Sequence, residues 1–516
     1  MKKLTAKQPN ILFIVLDTQR LDRLSVYGHA QRTSRFLDYF AARSTVFDRA
    51  FSAAQWTIPS HAAMFTGRPV SEHGVVETLA RLPQRFLTLA QILAQGGYRT
   101  TGFSNNGLIG VIDNDVQRGF QDFYVYAGIA NRPVDVTRGV FQRRLQQRLV
   151  QTFRRSVNRV VSNAWFQQMA TRVGMIVPNW TQLINQKGNV VQTIDDVIAH
   201  LRQHGRGPQP LFTFINLMGA HLPYHPPRKF VRRIAPGLWR DRAARAIMQR
   251  LNDDPVAWML PRETPLSAFE QHVIDSYYNA EVAHQDVHLG RLFRFLKHSR
   301  QQEHTMVIVC ADHGEALGDH NLFGHGFTVA QEIVHVPLII RYPAMFKPGT
   351  RVTQNVSTRR LFHTVLAASG VPVPIGADDA AGDVVGLSLE TAVQPDRDPE
   401  GGVVISEAFP PATMVQALKT HIPEHTARQR FDVVRRAVFV GDLKLSVVGD
   451  NVEAVETMAA GNRVSAANLN PAETFMLQQH LNRFLEAMAQ RGAVTETLET
   501  VSPEVLANLR ALGYME

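Results

Sequence analysis

The chain has 516 residues, a formal charge of +10 from 55 basic and 45 acidic side chains, and a single cysteine, Cys310. One cysteine excludes an internal disulfide, a paired-cysteine redox motif and a zinc site built from several thiolates. A content of 45% hydrophobic and 19% charged residues is typical of a folded globular protein, and the length suggests one large domain with a smaller one. The excess of positive charge points to an anionic partner.

No segment of the sequence is predicted to target the chain to a membrane. The apolar run at residues 11–16 follows two lysines but is too short for a signal peptide. It ends in Asp17 without a cleavage site, so we predict a buried strand. No stretch approaches the roughly 20 apolar residues of a membrane span. We therefore expect a cytoplasmic protein.

Short β-branched and aliphatic runs alternate with helix-like segments, which predicts an α/β fold with a mostly parallel central sheet flanked by helices. The predicted strands are residues 10–16, 98–104, 211–217, 305–310 and 336–342. The predicted helices are residues 33–42, 87–95, 191–203 and 268–297. Ligands bind beyond the carboxyl ends of the strands in such sheets, so the residues that follow each strand are candidates for a site.

The last quarter of the chain differs in composition and in its predicted secondary structure. Residues 376–397 are rich in Gly, Ala and Asp, which predicts a connecting loop. Beyond it, the predicted strands are residues 402–407, 437–440 and 443–448. With a predicted helix at residues 471–489, they indicate a small antiparallel sheet plus one helix. We therefore predict a catalytic α/β domain over residues 1–375 and a C-terminal α+β subdomain over residues 376–516.

An arginine-rich segment carries most of the positive charge. Residues 132–172 contain nine arginines and one acid, Asp135, which is a net +8 of the total +10. Apolar residues at a spacing of four predict an amphipathic basic helix, within a helical insertion of about residues 131–180. A solvated helix face that covers the core is one interpretation. The other is a surface for an anionic substrate or peripheral membrane contact. No nucleic-acid-binding motif accompanies the segment, so nucleic acid is not expected.

Three predicted strands end in side chains that bind metals or carry protons. Asp17 follows the first strand, His221 follows the third, and Asp312 and His313 follow the fourth. Any one of them alone is a weak signal. Because parallel strands bring their carboxyl ends to one edge of the sheet, we predict that these side chains form one site.

The segment QWTIPSHAAMFTG, residues 55–67, holds further candidates. Pro59 suits a first helical turn and Gly67 suits a helix end. Thr57 would then stand at a helix N-terminus, where backbone N–H groups favour negative charge. By spacing alone, an N-cap is the commoner meaning of threonine in that place. His61 follows Thr57 by one helical turn, so both can face the same pocket.

Taken together, these motifs resemble the sulfatase-like family of the alkaline phosphatase superfamily. They occur in the family's order and span nearly the whole chain. The matching segments are IVLDTQR around Asp17, residues 57–67, HLPY from His221, ADHGEALGDH from Ala311, FGHG around His325, VPLII from Val336, and LRALGY near the end of the chain.

The resemblance implies metal-assisted hydrolysis of a sulfate or phosphate ester. Asp17, Asp312 and His313 match the metal ligands of the family. Thr57 matches the position of the nucleophile, whose oxygen also touches the metal. A divalent cation held in this way lowers the pKa of a hydroxyl and neutralises oxyanion charge.

The histidines and the number of metal ions follow from the same resemblance. His221 and His325 match the positions that bind the ester oxygens and protonate the leaving group, and His61 is a further catalytic candidate. Two-metal relatives add ligands from other strands, but no carboxylate lies at the end of strand 211–217. We therefore expect one divalent ion. Mn²⁺ or Ca²⁺ is favoured by the mostly oxygen ligands, with Zn²⁺ as the further option.

Four positions depart from the usual pattern of sulfatases. Those enzymes carry Cys or Ser, oxidised to formylglycine, where this chain has Thr57, and threonine cannot become that aldehyde. His61 and His325 replace an arginine and a lysine, and Thr18 replaces a second carboxylate. The departures predict a threonine-nucleophile branch, similar to phosphonate monoester hydrolases and phosphodiesterases.

The nucleophile also bears on the class of ester. A formylglycine hydrate eliminates sulfate, whereas a threonine ester must be cleaved by water at the central atom, which phospho-threonine intermediates can undergo. We therefore favour hydrolysis of small phosphoric or phosphonic esters over sulfuric esters. The alternatives are a sulfatase without formylglycine, transfer of the phospho group to an alcohol acceptor, and a catalytically silent anion-binding protein. The sequence leaves open whether the protein forms a homo-oligomer.

Overall fold

The computed structural model describes residues 8–78, 80–110, 112, 114–126, 134–135, 187–253, 261–262, 264–373, 386–458, 462–464 and 470–493. The strands are β1 Asn10–Leu16, β2 Thr45–Phe51, β3 Arg99–Ser104, β4 Asp122–Val125, β5 Val134–Asp135, β6 Leu211–Leu217, β7 Thr305–Cys310, β8 Ala316–Leu317, β9 Phe323–Gly324, β10 His335–Arg341, β11 Arg351–Val352, β12 Val356–Ser357, β13 Val403–Ala408, β14 Arg435–Val440, β15 Leu443–Val448, β16 Asn451–Thr457 and β17 Asn462–Val464.

The α-helices cover both faces of the larger sheet and one face of the smaller. They are α1 Arg35–Ala41, α2 Thr57–Thr66, α3 Val70–His73, α4 Leu89–Gln95, α5 Val190–His204, α6 Arg228–Ile234, α7 Arg242–Asp253, α8 Ala268–His298, α9 Gln331–Val334, α10 Leu361–Ser369, α11 Leu389–Ala392, α12 Ala412–His421, α13 Pro423–Gln429 and α14 Pro471–Gln490. Within the described ranges, none of them is long and apolar enough to cross a membrane.

The larger sheet has the strand order β11-β2-β10-β7-β1-β6-β3-β4-β5, with β12 also paired to β2. Strand β1 lies between β6 and β7 and runs parallel to both, and β3 continues the parallel run beside β6. Strand β10 runs antiparallel to its neighbours β7 and β2. The connection from β7 to β10, residues 311–334, contains the β8–β9 hairpin and the one-turn helix α9. The predicted mostly parallel sheet is confirmed, with β10 and the edge strand β5, which is antiparallel to β4, as exceptions among the described strands.

The central strands are apolar on both faces because they separate two hydrophobic cores. In β1, Ile11, Phe13 and Val15 enter the core on one side of the sheet. Leu12 and Ile14 enter the core on the other side. This arrangement explains why the strands read as continuous apolar runs in the sequence. The predicted strands at residues 10–16, 211–217 and 305–310 match the observed bounds.

The C-terminal part forms a five-stranded antiparallel sheet in the order β13-β14-β15-β16-β17. Helix α14 packs on this sheet through Leu477 and Leu481, which share a cluster with Val438 and Leu445. Gly441, with φ of 54°, makes the turn between β14 and β15. The predicted small antiparallel sheet with one helix is confirmed, and the sheet has two more strands than the sequence indicated.

Two predicted segments lie mostly outside the described residues. Of the basic insertion at residues 131–180, the structure describes only Val134 and Asp135, which form the edge strand β5 instead of a helix. The rest of that predicted basic helix lies outside the described residues. The predicted loop at residues 376–397 is described from residue 386 onward, and it contains the short helix α11. The domain boundary at residue 375 stays a prediction.

Candidate active site

Side chains from four strand ends converge beyond the carboxyl edge of the central sheet. Asp17 follows β1, Asn106 follows β3 by two residues, and Asn216 lies at the end of β6. Asp312 and His313 follow β7. Each of these five side chains is almost completely buried. The rule that placed the site at this edge from sequence therefore holds for the described structure.

Helix α2 brings Thr57 to the same place. Thr57 is the first residue of the helix and Trp56 occupies the N-cap position, so the interpretation of Thr57 as an N-cap is wrong by one residue. Its hydroxyl oxygen lies 3.3 Å from His313 Nε2 and 3.4 Å from Asn106 Nδ2. The helix ends at Gly67 with φ of 71°, as its sequence predicts. The hydroxyl of Thr57 therefore faces the cluster at the sheet edge.

Three side chains in this cluster offer donor atoms to a cation. One ligand atom each from Asp17, Asp312 and His313 lies within 4.8 Å of the others. His313 Nε2 is 3.4 Å from Asp312 Oδ2 and 3.9 Å from Asp17 Oδ1. Both of these carboxylate oxygens are buried without a hydrogen-bond donor. Because such burial is costly unless a positive charge or a donor compensates for it, the arrangement fits a metal ion.

Protonation in the cluster is consistent with a cation. Burial, together with the charge of Asp17, raises the pKa of Asp312 well above its usual value. Burial lowers the pKa of His313 well below its usual value, so its ring is neutral. The Nδ1–H of His313 donates to the Gly314 carbonyl at 2.9 Å, which leaves a lone pair on Nε2 facing the carboxylates. Two carboxylates and a neutral imidazole form a donor set that Mn²⁺, Ca²⁺ and Zn²⁺ accept to different degrees.

The second oxygen of each carboxylate is held by surrounding amides. Asp17 Oδ2 accepts from Asn106 Nδ2 at 2.8 Å and from Asn216 Nδ2 at 3.1 Å. Asp312 Oδ1 accepts from the backbone N–H groups of Thr18 at 3.3 Å and His313 at 2.9 Å. One oxygen of each aspartate is thus fixed, and the other is free to bind a metal ion. Sequence analysis missed Asn106, although its place after β3 was a usable signal.

His61 joins the cluster from the second turn of α2. Its Nδ1–H donates to the Thr57 carbonyl at 2.8 Å, and its Nε2 lies 3.4 Å from Asn216 Nδ2. Burial lowers the pKa of His61, so this ring too is neutral. Both ring nitrogens thus have protein partners, and the catalytic role of His61 stays a prediction.

His325 and His221 lie side by side next to His313. The ring centroids of His313 and His325 are 4.1 Å apart, and those of His221 and His325 are 5.3 Å apart. Burial lowers the pKa of His221, and its Nδ1–H donates to the Leu222 carbonyl at 2.6 Å. The structure thus brings together every residue predicted for the site: Asp17, Thr57, His61, His221, Asp312, His313 and His325.

The loop that carries His221 is fixed by a partly buried lysine that sequence analysis missed. Lys187 Nζ donates to the carbonyls of Gly219 and Pro223, at 2.8 Å and 3.0 Å, on either side of His221. The same ammonium group pairs with Glu281 Oε1 at 2.9 Å. No local pattern links Lys187 to this loop, because the contact depends on tertiary packing.

Comparison with known proteins establishes the family. The sequence model of the Sulfatase family matches residues 9–371. Because the match spans well over half of the chain, the protein belongs to the Sulfatase family. The family prediction is therefore confirmed, together with the hydrolase class and the alkaline phosphatase-like fold.

The relatives are distant in sequence and close in fold. The uncharacterized sulfatase YidJ of Escherichia coli is 22% identical, over 71% of this chain and 69% of its own. The N-acetylglucosamine-6-O-sulfatase of Bacteroides thetaiotaomicron is 22% identical, over 76% of this chain and 72% of its own. The phosphonate monoester hydrolase of Agrobacterium radiobacter has a similar structure, with a TM-score of 0.62 at 20% identity over 94% of this chain and 96% of its own.

These names bear on the predicted class of ester. Most of the named relatives are sulfatases, so the preference for phosphorus esters over sulfuric esters is not supported by them. The threonine-nucleophile branch stays a prediction.

Proposed function

We propose that the protein is a metal-dependent ester hydrolase whose nucleophile is the hydroxyl oxygen of Thr57. One observation carries the proposal. The threonine hydroxyl at the start of α2 lies 3.3 Å from His313 Nε2. That nitrogen is 3.9 Å from Asp17 Oδ1 and 3.4 Å from Asp312 Oδ2, two buried oxygens that lack a hydrogen-bond donor. Asp17, Asp312 and His313 would hold one divalent ion, with Thr57 as a fourth ligand. Mn²⁺ or Ca²⁺ is our first choice and Zn²⁺ the second.

The residues of the site divide the reaction among them. When bound, the cation would stabilise negative charge on the ester and lower the pKa of the Thr57 hydroxyl. Thr57 Oγ1 would attack the sulfur or phosphorus atom of the ester. The N–H groups at the N-terminus of α2 would stabilise the negative charge of the ester group beside Thr57. Asn106 Nδ2, 3.4 Å from that oxygen, is placed to donate to an ester oxygen. His221 or His325 would protonate the leaving oxygen, and water would then cleave the covalent Thr57 ester.

Two classes of small anionic ester are candidates for the substrate. The names of the relatives favour a sulfuric ester. The residue at position 57 favours a phosphoric or phosphonic ester, because threonine cannot form the formylglycine aldehyde and its covalent ester must be cleaved by water. Transfer of the covalently held group to an alcohol instead of water is a further outcome, which product analysis with competing alcohols would detect.

A panel of nitrophenyl esters tests both the nucleophile and the class of ester. Turnover of the sulfate, phosphate monoester, phosphodiester and phosphonate monoester is measured for the wild type, Thr57→Ala, Thr57→Ser and Thr66→Ala. We expect Thr57→Ala to abolish turnover of whichever ester is used and Thr57→Ser, which keeps a hydroxyl, to retain part of it.

Thr66 is the matched control in the same helix. Its hydroxyl is also buried but donates to the Ala62 carbonyl at 2.7 Å, away from the cluster. Thr66→Ala should retain wild-type turnover. Unchanged turnover in Thr57→Ala would overturn the assignment of the nucleophile, and no turnover of any ester by the wild type would favour the silent anion-binding alternative.

A further inference from the structure

A small hairpin places a buried glutamate directly opposite His325. Strand β8 pairs antiparallel with β9, with Ala316 opposite Gly324 and Leu317 opposite Phe323. Glu315 immediately precedes Ala316, and His325 immediately follows Gly324. In this register Glu315 and His325 are the next facing pair. Their contact is therefore set by the backbone of the hairpin.

The carboxylate of Glu315 bonds to the imidazole of His325. Glu315 is fully buried, and its Oε1 accepts a hydrogen bond from His325 Nδ1 at 2.8 Å. Its other oxygen lies 3.5 Å from the hydroxyl of Tyr224. Burial, followed by the charge of Glu315, raises the pKa of Tyr224 well above its usual value, so this hydroxyl keeps its proton. Both carboxylate oxygens thus face protons from the surrounding side chains.

The pairing with Glu315 distinguishes His325 from His221, the other candidate for the group that protonates the leaving oxygen. A carboxylate bonded to Nδ1 fixes the plane of the ring and keeps Nε2 available for the reaction. His325 has such a carboxylate, and its ring lies against His313 with 4.1 Å between centroids. The Nδ1–H of His221 donates instead to a neighbouring backbone carbonyl. The side chain of His325 is 11% exposed, so a leaving group can reach it, and His221 is also partly exposed. The carboxylate partner, and not exposure, therefore distinguishes the two rings.

We infer that Glu315 is a positioning residue that makes His325, and not His221, the group that meets the leaving oxygen. The inference rests on the proposed function. In the step concerned, the Thr57 hydroxyl would already have released its proton to solvent, because the bound cation would lower its pKa. Thr57 Oγ1 then forms a bond to the central atom while the bond from that atom to the leaving oxygen breaks. The bonding electron pair goes to the leaving oxygen, which takes the proton carried by His325 Nε2, and the ring keeps the Nδ1–H that is bonded to Glu315.

A comparison of leaving groups tests this inference. Glu315→Ala, Glu315→Gln and His325→Ala are assayed with a nitrophenyl ester and with the unactivated phenyl ester of the same acid. A nitrophenolate leaves without a proton, whereas a phenolate benefits from one. We expect Glu315→Ala and His325→Ala to lower kcat for the phenyl ester by about 10²-fold or more, and for the nitrophenyl ester by less than about 10-fold. Glu315→Gln keeps an acceptor oxygen for His325 Nδ1, so its kcat for the phenyl ester should fall less than that of Glu315→Ala.

Glu332→Gln is the matched control. Glu332 also lies beside a histidine, with 3.4 Å between its Oε1 and His320 Nε2. It belongs to α9, and among the described residues its Oε1 has no hydrogen bond to the proposed site. This variant should keep wild-type kcat with both esters. The double variant Glu315→Ala/His325→Ala should be no slower than His325→Ala alone, because the glutamate acts only through the histidine.

The outcomes separate this inference from the proposed function. Equal losses with both esters, as a merely structural role would give, would overturn the role of Glu315. So would a further loss in the double variant, or a selective loss with the phenyl ester in His221→Ala and not in His325→Ala. In each of these cases the proposed function stands if Thr57→Ala is inactive, and it fails if Thr57→Ala remains active.

Discussion

The central sheet and the C-terminal sheet both bury charged side chains, but they surround these charges differently. In the C-terminal sheet the carboxylate of Glu407 is bonded to Arg436 Nε at 3.1 Å and to both the N–H and the hydroxyl of Ser71 at 2.9 Å. At the edge of the central sheet, Asp17 and Asp312 each keep one buried oxygen without a donor. A buried charge with complete partners maintains structure, whereas a buried carboxylate oxygen without a partner indicates a ligand site.

The largest effect should come from removing a charge at the edge of the central sheet. Asp312→Asn should lower kcat by at least about 10³-fold, because metal-assisted charge stabilisation contributes several kcal/mol. In the presence of a chelator, its free energy of unfolding should equal or exceed that of the wild type, since one of two repelling carboxylates is gone. Kinetics, metal analysis and denaturant unfolding measure these three quantities. A large fall in the free energy of unfolding of metal-free Asp312→Asn would show that Asp312 stabilises the fold and would contradict its assignment to a ligand site.

The opposite result is expected in the C-terminal sheet. Glu407→Ala leaves the guanidinium of Arg436 and the N–H of Ser71 without this carboxylate, so the free energy of unfolding should fall by about 3 kcal/mol or more. The kcat of the protein that remains folded should stay near the wild-type value. Denaturant unfolding and active-site titration measure the two quantities. A lower kcat for Glu407→Ala with an unchanged free energy of unfolding would contradict this purely structural role of Glu407.

Binding of the metal ion should stabilise the wild type but not the variant at position 312. At a free metal concentration of about 100 times Kd, the wild type should gain roughly 2.7 kcal/mol. Asp312→Asn should gain little at the same concentration, because one ligand is lost. Thermal unfolding of the chelated protein with and without added Mn²⁺ or Ca²⁺ gives the comparison. An equal gain in both proteins would place the metal elsewhere.

A buried carboxylate in helix α8, outside both sheets, sharpens the comparison through its pH dependence. Asp286 accepts the N–H groups of Phe36 at 2.9 Å and Leu37 at 2.8 Å, and burial raises its pKa to about 7. Because this value lies above the pKa of about 4 in an unfolded chain, the folded state binds the proton more tightly. Its contribution to stability is therefore complete below about pH 4 and is lost as the pH rises through 7.

The variant Asp286→Asn isolates this contribution. Its free energy of unfolding should fall less than that of the wild type between pH 4 and pH 8, because the titrating carboxyl is absent. Denaturant unfolding at several pH values measures the two slopes. Parallel slopes would show that Asp286 does not titrate in this range.

The central sheet and part of the candidate site could be predicted from the sequence. The apolar strands and the residues that follow them predicted the sheet, and Asp17, Asp312 and His313 came from the same rule. The antiparallel direction of β10 did not follow from its apolar run, because a buried strand is apolar in either direction. Likewise, the partnership of Glu315 with His325 depends on the register of the β8–β9 hairpin. Spacing alone does not determine that register.

The most direct test of the central claim is to trap the covalent intermediate. The wild-type enzyme is mixed with its best nitrophenyl ester, quenched in acid during steady-state turnover, digested and analysed by mass spectrometry. The proposed mechanism predicts a sulfo, phospho or phosphono group on the peptide that contains Thr57, with the mass identifying the class of ester. The group should be absent from Thr57→Ala. Attachment of the group to a different side chain, or an equal amount in Thr57→Ala, would contradict the mechanism.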